Sequence, residues 1–227
     1  MGNQRVLFLY SELAGYFINC AQELAIRAEV EAVGVVHWPI NPEAPFQFDD
    51  HPNVARVDKS TLPGKSLVDY VLEFDPTLLV VAGWMDSAYC SIAKSWKDRI
   101  PVVVCIDNWW TGSLKQRVAS LLSPWHVRRM FNHAWVPGKP QRDFARRLGF
   151  NHAHILEGYY CADPRPFELA FQMRKGRNPV EPMKRMLYVG RYLDFKGVLE
   201  LWQAFMELAH DHPDWELHCI GTGDLWE

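Results

Sequence analysis

The stretch Met186–Lys196, which reads MLYVGRYLDFK and is followed by Gly197, decides the fold of this chain. Its apolar beginning predicts a short buried strand, and the Gly-Arg pair after it predicts a turn. Lys196 and Gly197 then stand at the start of an amphipathic helical pattern. A strand, a glycine turn and a helix in this order present backbone N–H groups and two cations to one point, which suits a phosphate group. A solvated surface turn would carry the same residues.

Apolar runs of strand length recur along the whole chain and alternate with amphipathic helical patterns. The runs are almost continuously apolar, as is typical of strands that are buried on both faces of a sheet. Repeated β-α-β units of this kind predict an α/β fold with a Rossmann-like, doubly wound parallel sheet. The predicted strands are residues 6–10, 33–38, 78–83, 102–106, 134–137, 154–156, 187–189 and 217–220, and helical patterns begin near Phe17, Pro140 and Val198.

Prolines and a glycine interrupt this rhythm between Asp163 and Lys184. Such a segment predicts an inter-domain linker or an exposed loop. We therefore expect a first domain over residues 1–165, a linker over 166–183 and a second domain over 184–227. Because a single β-α-β unit cannot bury both faces of its sheet, we expect the second Rossmann-like domain to be incomplete and the chain to be truncated.

The composition is that of an ordinary globular protein, with 48% hydrophobic and 22% charged residues. The apolar run near the N-terminus is too short for a signal peptide or a membrane span, so we expect a cytoplasmic protein. The five cysteines are odd in number and widely spread, which predicts reduced core residues and no disulfide framework. His152 and His154 have no third ligand at a suitable spacing, so we expect a structural role for them and no metal site.

The net charge of −3 hides a marked segregation of charge. Residues 1–110 carry a net −6, residues 111–190 a net +9 and residues 191–227 a net −6. A basic middle segment suits an anionic ligand or an anionic membrane surface, and a solvated basic face would look the same. We expect no nucleic acid partner, because aromatic residues are not interleaved with the basic run. Region 126–147 is the candidate for peripheral contact with the inner face of a membrane.

From Lys184 to Leu225 the chain resembles the start of the nucleotide-sugar domain of retaining glycosyltransferases with the GT-B fold, in the "glycosyl transferases group 1" family (family 4). The family pattern is a strand ending in Gly-Arg, a Lys-Gly pair, an apolar helix, a Pro-Asp turn and a strand ending in Gly-x-Gly. The first domain matches the family in architecture, apart from Ala162-Asp163 and Phe167, which are similar to the end of its interdomain crossing. The matching residues are Tyr188-Val-Gly-Arg191, Lys196-Gly-Val198, Leu201-Trp-Gln-Ala-Phe205, Pro213-Asp214 and Leu217-His-Cys-Ile-Gly-Thr-Gly-Asp224.

The resemblance implies that Arg191 and Lys196, with Gly190 and Gly197, hold the diphosphate of a nucleotide sugar. The implied reaction transfers the sugar to a hydroxyl of a carbohydrate or lipid-linked acceptor, with retention at the anomeric carbon and without a metal or cofactor. Cations at the diphosphate neutralise the leaving group, which is the electrostatic part of such a transfer.

The first domain would position the acceptor from the ends of its strands, because ligands of open α/β sheets bind there. Asp107 is the candidate catalytic residue, although many family members have a histidine at this position. The paired Trp109 and Trp110 would either stack on a sugar ring or pack in the core or an interface. The acceptor-side candidates are Ser11, Glu12, Gly15, Trp84, Asp86, Asn108 and Trp109.

Two further departures from the family limit the expected activity. Gly15 stands where many members have a Gly-Gly pair. The family's pair of donor-domain glutamates would lie after Glu227, so we expect this chain to be inactive alone. Two alternatives stay open: a sugar-nucleotide 2-epimerase of the same fold, and a non-catalytic Rossmann-type binding domain.

Overall fold

The computed structural model describes residues 3–42, 48–62, 66–175 and 184–225. The chain divides into two compact units, Met1–Asp163 and Pro164–Glu227. The first unit contains a seven-stranded sheet whose neighbouring strands are all parallel, in the order β3-β2-β1-β4-β5-β6-β7. The strands are β1 (Gln4–Leu9), β2 (Val30–His37), β3 (Val54–Asp58), β4 (Leu78–Val81), β5 (Val102–Cys105), β6 (His133–Val136) and β7 (Ile155–Glu157).

Helices cover both faces of this sheet, so the predicted Rossmann-like, doubly wound α/β fold is confirmed. In β1, Leu7 packs into one hydrophobic cluster and Phe8 into the other, which is why the strand is continuously apolar. No helix in the described part of the chain is both long and apolar enough to cross a membrane. The helices of this unit are α1 (Gly15–Ala25), α2 (Leu67–Phe74), α3 (Ser87–Trp96), α4 (Leu114–Leu122), α5 (Val127–Met130) and α6 (Lys139–Arg147).

Polar side chains fix where three of these helices begin. Ser66 accepts a hydrogen bond from the backbone N–H of Asp69, whose carboxylate accepts one in return from the Ser66 N–H, and this capping box starts α2. Asp86 accepts hydrogen bonds from two backbone amides at the start of α3. Ser113 accepts one from the backbone N–H of Gln116 at the start of α4. Each cap satisfies amides that have no partner within the helix.

The sequence did not reveal strand β3. It lies at the edge of the sheet beside β2, and its residues are only partly buried. Arg56 in the middle of it bonds through its guanidinium to the carbonyl of Phe48 and the carboxylate of Asp50. A strand with one solvated edge does not need a continuous apolar run, so it lacks the signal by which the buried strands were found.

Residues Arg165–Lys175 form a helix, α7, where the sequence suggested a linker or an exposed loop. Pro166 lies in its first turn, where the missing N–H costs nothing, and every residue of α7 is exposed. The exposed-loop alternative is therefore wrong for residues 165–175, because a proline near a helix start was taken for a helix breaker. The remainder of the expected linker, residues 176–183, lies outside the described residues.

Two smaller expectations need correction. All five cysteines are free, as expected, but only Cys105 is buried and Cys161 is exposed, so they are not core residues as a group. His152 and His154 lie in a 3-10 turn, so the strand predicted over residues 154–156 begins one residue later, at Ile155. The ring of His154 packs 4.7 Å from that of His133, measured between ring centroids, which is a structural contact.

The second unit contains, after α7, one β-α-β unit among its described residues. Strands β8 (Lys184–Val189) and β9 (Trp215–Ile220) pair in parallel, and helix α8 (Val198–Ala209) connects them. The indole N–H of Trp202 on α8 donates a hydrogen bond to the sulfur of Cys219 at 3.1 Å. This helix therefore packs onto the sheet, as its apolar periodicity predicts.

The turns that follow β8 and β9 are joined by backbone hydrogen bonds. The N–H of Gly190 donates to the carbonyl of Ile220 at 3.0 Å, and the N–H of Tyr192 donates to that of Thr222 at 2.8 Å. Gly221 lies so close to its neighbour that a Cβ there would stand 1.8 Å from the carbonyl oxygen of Gly190. The glycine of the second turn thus permits the close approach of two backbones.

Replacing Gly221 by alanine tests this contact. The clash is with backbone, which cannot swing aside as a side chain can, so we expect Gly221→Ala to separate the two turns. Amide hydrogen exchange at Gly190 and Tyr192 should rise by about tenfold or more. Gly138→Ala is the control, because that glycine has an extended backbone and no atom within 4 Å of a built Cβ. Unchanged exchange in Gly221→Ala would contradict the argument.

Candidate functional site

A pocket of about 340 Å³ opens at the carboxyl ends of β4 and β5 in the first unit. We call it the strand-end pocket. It brings together Trp84, Asp107 and Asn108, three of the residues that the sequence singled out, and helix α4 closes one side of it. The position agrees with the rule that open α/β sheets bind ligands outside the carboxyl ends of their strands. Its other lining residues are Gly83, Met85, Cys105, Ile106, Ser113, Lys115, Gln116, Ala119 and Phe144.

Asp107 is held at the edge of this pocket from two directions. Its carbonyl accepts a hydrogen bond from the side-chain amide of Gln141 at 3.1 Å, and its carboxylate accepts one from the hydroxyl of Tyr160 at 3.2 Å. Burial, and then the negative charge of Asp107, raise the pKa of Tyr160, so its hydroxyl stays protonated and remains a donor. The carboxylate thus has a fixed orientation and an oxygen left to receive a second donor.

Tyr160 is a functional candidate that the sequence reasoning missed. Its φ of 71° is unusual for an aromatic residue. Its ring stacks on that of Tyr159 with centroids 3.9 Å apart, and the hydroxyl of Tyr159 shares a buried hydrogen bond with that of Tyr10. These contacts maintain the strained backbone. The only signal in the sequence was Gly158 followed by two tyrosines at a strand end, and no rule attaches such a pair to Asp107.

Asp86, by contrast, has a structural role. Its Oδ1 accepts hydrogen bonds from the backbone amides of Ala88 and Tyr89, and its Oδ2 accepts from Lys59 Nζ at 2.5 Å and Trp38 Nε1 at 2.8 Å. Burial alone would raise the pKa of Asp86, but the hydrogen bonds from Lys59, Tyr89 and Trp38 outweigh it and hold the pKa below its ordinary value. Both oxygens already have two donors, and Asp86 does not line the strand-end pocket.

The three candidates after β1 also lie away from the strand-end pocket. The carbonyl of Ser11 accepts a hydrogen bond from the backbone N–H of Trp38, and Glu12 accepts one from the side chain of Asn41. Gly15 is the first residue of α1. These contacts join the loop after β1 to that after β2, and they bring none of the three residues into contact with Asp107 among the interactions of the described residues.

The two tryptophans after β5 differ in their surroundings. Trp109 is 60% exposed, whereas Trp110 packs against the core and lies under the guanidinium of Arg147, 4.5 Å from its ring centroid. Trp109 is therefore free to stack on a ligand, and Trp110 is occupied by packing. Both line a second, open pocket of about 680 Å³ whose other residues are Lys139, Pro140, Asp143, Arg146 and Arg147.

The turn after β8 holds the four residues assigned to diphosphate binding. Gly197 caps α8 with a left-handed backbone conformation, φ 68°. Glycine adopts this conformation without the strain that a side chain would cause. Arg191 and Lys196 are both exposed, and the ammonium of Lys196 lies 5.3 Å from the ring of Phe195. Within residues 184–225 the guanidinium of Arg191 has no hydrogen-bond or ion-pair partner. Lys196 directly precedes Gly197, the cap of α8, and Arg191 lies earlier in the same turn, so both cations are close in sequence to a helix N-terminus, which favours an anion.

No three histidine, cysteine, aspartate or glutamate side chains form a metal-binding group among the described residues. In the second unit, an apolar cavity of about 170 Å³ lies between α8 and the sheet, lined by residues such as Met186, Phe205 and Trp215. It is too small and too apolar for a nucleotide sugar, since ligand pockets usually measure at least about 300 Å³ and carry polar groups.

Comparison with known proteins gives likeness in structure only. No protein-family model and no curated protein sequence matches the chain. The structure of UDP-GlcNAc 2-epimerase from Neisseria meningitidis, bound to UDP-GlcNAc, is similar with a TM-score of 0.55 and 13% identity, over 97% of this chain and 66% of that chain. At this low identity, the likeness establishes a shared fold.

Two further solved structures have the same fold. UDP-N-acetylglucosamine 2-epimerase from Rickettsia bellii has a TM-score of 0.51 and 10% identity, over 98% of this chain and 63% of its own. HepE from Anabaena, in complex with UDP, has a TM-score of 0.52 and 13% identity, over 96% of this chain and 69% of its own. The chain therefore spans about two thirds of the length of these proteins.

The structural role of Asp86 predicts a pH-dependent loss of stability when the charge is removed. We expect Asp86→Asn to lower the free energy of unfolding by about 2 kcal/mol at neutral pH, because Lys59 and Trp38 lose a charged partner. Because the pKa of Asp86 is lower in the folded state, its charge stabilises the fold at pH values above the unfolded-state pKa of about 3.9. This stabilisation is lost as the pH falls through the lower pKa of the folded state. Denaturant unfolding measures this at neutral pH and below about pH 3. The difference in unfolding free energy between the unchanged chain and Asp86→Asn should be smaller in acid.

Asp50→Asn is the matched control. Asp50 also pairs with a cation, Arg56, but its side chain is 97% exposed, so its loss should cost less than about 0.5 kcal/mol at any pH. Equal losses for the two variants would contradict a structural role specific to Asp86.

Proposed function

We propose that this chain belongs to a nucleotide-sugar enzyme, a retaining glycosyltransferase that transfers a sugar from a nucleotide diphosphate donor to an acceptor hydroxyl. The observation that carries the proposal is the turn after β8. There Arg191 is exposed and unpaired within residues 184–225, Lys196 is exposed, and the backbone beneath them is fixed by the contact of Gly190 with Gly221. A rigid turn with available cations is suited to a ligand that brings its own negative charge.

The chemistry of these cations favours a diphosphate. The planar guanidinium of Arg191 can grip two oxygens, whereas Lys196 supplies a mobile point charge, and the α8 N-terminus adds its amides. In glycosyl transfer the diphosphate leaves with its charge increasing, so groups that hold it more strongly in the transition state accelerate the reaction. The proposed role of the two cations therefore requires neither a metal nor a cofactor.

The strand-end pocket is the proposed acceptor site. The carboxylate of Asp107, oriented by Tyr160, would accept a hydrogen bond from the acceptor hydroxyl and direct its oxygen toward the anomeric carbon. Asn108 and Trp84 line the same pocket, and the exposed ring of Trp109 lies next along the chain. Carbohydrate acceptors suit such a mixture of polar groups and aromatic rings. The proposed acceptor is a carbohydrate or a lipid-linked molecule that offers a hydroxyl group.

A sugar-nucleotide 2-epimerase is the second candidate. Two of the structures with the same fold are UDP-N-acetylglucosamine 2-epimerases, and their likeness to this chain is as strong as that of HepE. An epimerase needs no second substrate, so the two candidates differ in whether sugar is converted without an acceptor.

Binding of UDP tests the assignment of the turn. We choose UDP because HepE was solved with it, and we expect Arg191→Ala to weaken binding by about tenfold or more through the loss of a charged hydrogen-bond donor. Isothermal titration calorimetry measures this directly. Arg185→Ala is the matched control, since Arg185 lies on β8, the strand that leads into this turn, but pairs with Glu216. If both variants bind UDP as the unchanged chain does, the proposed donor site is wrong.

Product analysis in the whole protein separates transfer from epimerisation. With UDP-GlcNAc, we expect the sugar to appear on an added acceptor, and Asp107→Asn to lower kcat by about a hundredfold while the KM for the donor stays unchanged. Asp98→Asn, an exposed aspartate beyond the other end of the sheet, is the control and should leave kcat unchanged. Conversion of the sugar without any acceptor would replace this proposal by the epimerase.

A further inference from the structure

Helix α4 exposes an unusually large apolar face. Leu114 is 82% exposed, Leu121 71% and Trp125, in the 3-10 turn that follows, 69%. These residues recur with Val118 at intervals of four, three and four positions, which places them on one side of a helix. We call Leu114, Val118, Leu121, Leu122 and Trp125 the α4 stripe. Scattered apolar residues on a surface are ordinary, but a contiguous stripe of this size marks a surface that docks onto something.

The opposite side of α4 is already occupied. Gln116 and Ala119 line the strand-end pocket, and the side-chain amide of Gln116 donates to the carbonyl of Trp109 at 2.7 Å and accepts from the backbone of Thr111 at 2.6 Å. The helix is thus fixed to the fold by one side and presents the other to the surroundings. Whatever covers the α4 stripe lies next to the wall of the pocket.

The charge around the stripe indicates what that partner is. Residues 111–150 contain eight lysines and arginines and a single acidic residue, Asp143. Lys115 and Arg117 are exposed on α4 itself, and Arg129 is exposed on the next helix. An apolar stripe that is bordered by cations complements a surface with negative charge outside and hydrocarbon beneath, which describes a bilayer with anionic lipids. Tryptophan is favoured at the boundary between the two layers.

Other exposed apolar groups on the chain do not fit this partner as well. On α7, the residues Phe167, Leu169, Phe171 and Met173 are exposed but alternate, so they point to different sides of the helix. On the sheet of the second unit, Leu187, Val189 and Ile220 are exposed, but residues 191–227 carry a net −6, which an anionic surface repels.

We propose that the α4 stripe docks the first unit onto an anionic lipid bilayer, with the apolar side chains at the acyl boundary and the neighbouring lysines and arginines at the headgroups. Helix α6, the basic part that the sequence singled out, would supply charge through Lys139, Arg146 and Arg147, and α4 supplies the apolar face that α6 lacks. The strand-end pocket would then open beside the lipid surface. Docking onto lipid needs no nucleotide sugar and is therefore independent of the proposed enzymatic function.

Vesicle flotation of the 227-residue chain tests the docking. We expect it to float with phosphatidylcholine vesicles that contain about one quarter phosphatidylglycerol, and to stay behind with phosphatidylcholine alone. Leu114→Ser combined with Leu121→Ser should lower partitioning by about tenfold or more. Lys115→Glu combined with Arg129→Glu should lower it by about fivefold or more per charge removed.

The controls distinguish this surface from the other exposed apolar groups. Phe171→Ser on α7 and Met206→Ser on α8 also remove exposed apolar side chains, and we expect both to float as the unchanged chain does. Because the changed positions on α4 are exposed, we expect the thermal transition followed by circular dichroism not to shift. An unshifted transition excludes unfolding as the cause of weaker vesicle binding.

Three results would overturn the proposal. The first is that the unchanged chain does not float with the anionic vesicles. The second is that flotation is lost in the α7 or α8 variant and kept in the α4 variants. The third is that the chain does not bind vesicles, sediments as a dimer and becomes a monomer when the α4 leucines are replaced, because the α4 stripe would then be an interface between two copies.

Discussion

Burial of the central strands on both faces is the constraint on which the first unit depends. Leu7 and Leu9 of β1 pack into one cluster and Val6 and Phe8 into the other, so helices must cover both sides of the sheet. The chain meets this requirement through parallel strands with helical crossovers, which carry all strand ends to one edge. The polar residues after β1, β4 and β5 gather there for that reason, and the strand-end pocket is a consequence of how the core is buried.

Gathering at one edge does not give these residues the same role. Asp86 and Asp107 both follow buried strands, but Asp86 is enclosed by four donors and has no capacity left for a ligand. Asp107 receives a hydrogen bond from Tyr160 at one carboxylate oxygen and borders an open pocket. A carboxylate that is saturated stabilises the fold, whereas one that is oriented but incompletely bonded can act on a substrate. The difference comes from Lys59 and Trp38, which directly follow β3 and β2 and donate hydrogen bonds to Asp86.

The second unit depends on an even closer contact, the approach of Gly221 to the carbonyl of Gly190. This approach lets the turns after β8 and β9 share backbone hydrogen bonds, and it fixes the direction in which β8 ends. Arg191 and Lys196 extend from this hydrogen-bonded backbone. Within residues 184–225 the guanidinium of Arg191 has no hydrogen-bond or ion-pair partner, and the ammonium of Lys196 lies near the ring of Phe195. The Gly-x-Gly after β9 and the Gly-Arg after β8 therefore form one structural unit, although 29 residues lie between them.

The sequence by itself determined the fold class, most of the buried strands and the two cations of the turn, because continuous apolar runs and local glycine patterns are properties of neighbouring residues. It could not reveal β3, whose polar edge gives no periodic signal, or the helix α7, whose first turn contains a proline. Nor could it separate Asp86 from Asp107, find Tyr160, or show that the apolar side of α4 stays uncovered. Those features depend on contacts between residues far apart in the chain, such as Lys59 with Asp86 and Tyr160 with Asp107, and only the tertiary structure decides which distant groups meet.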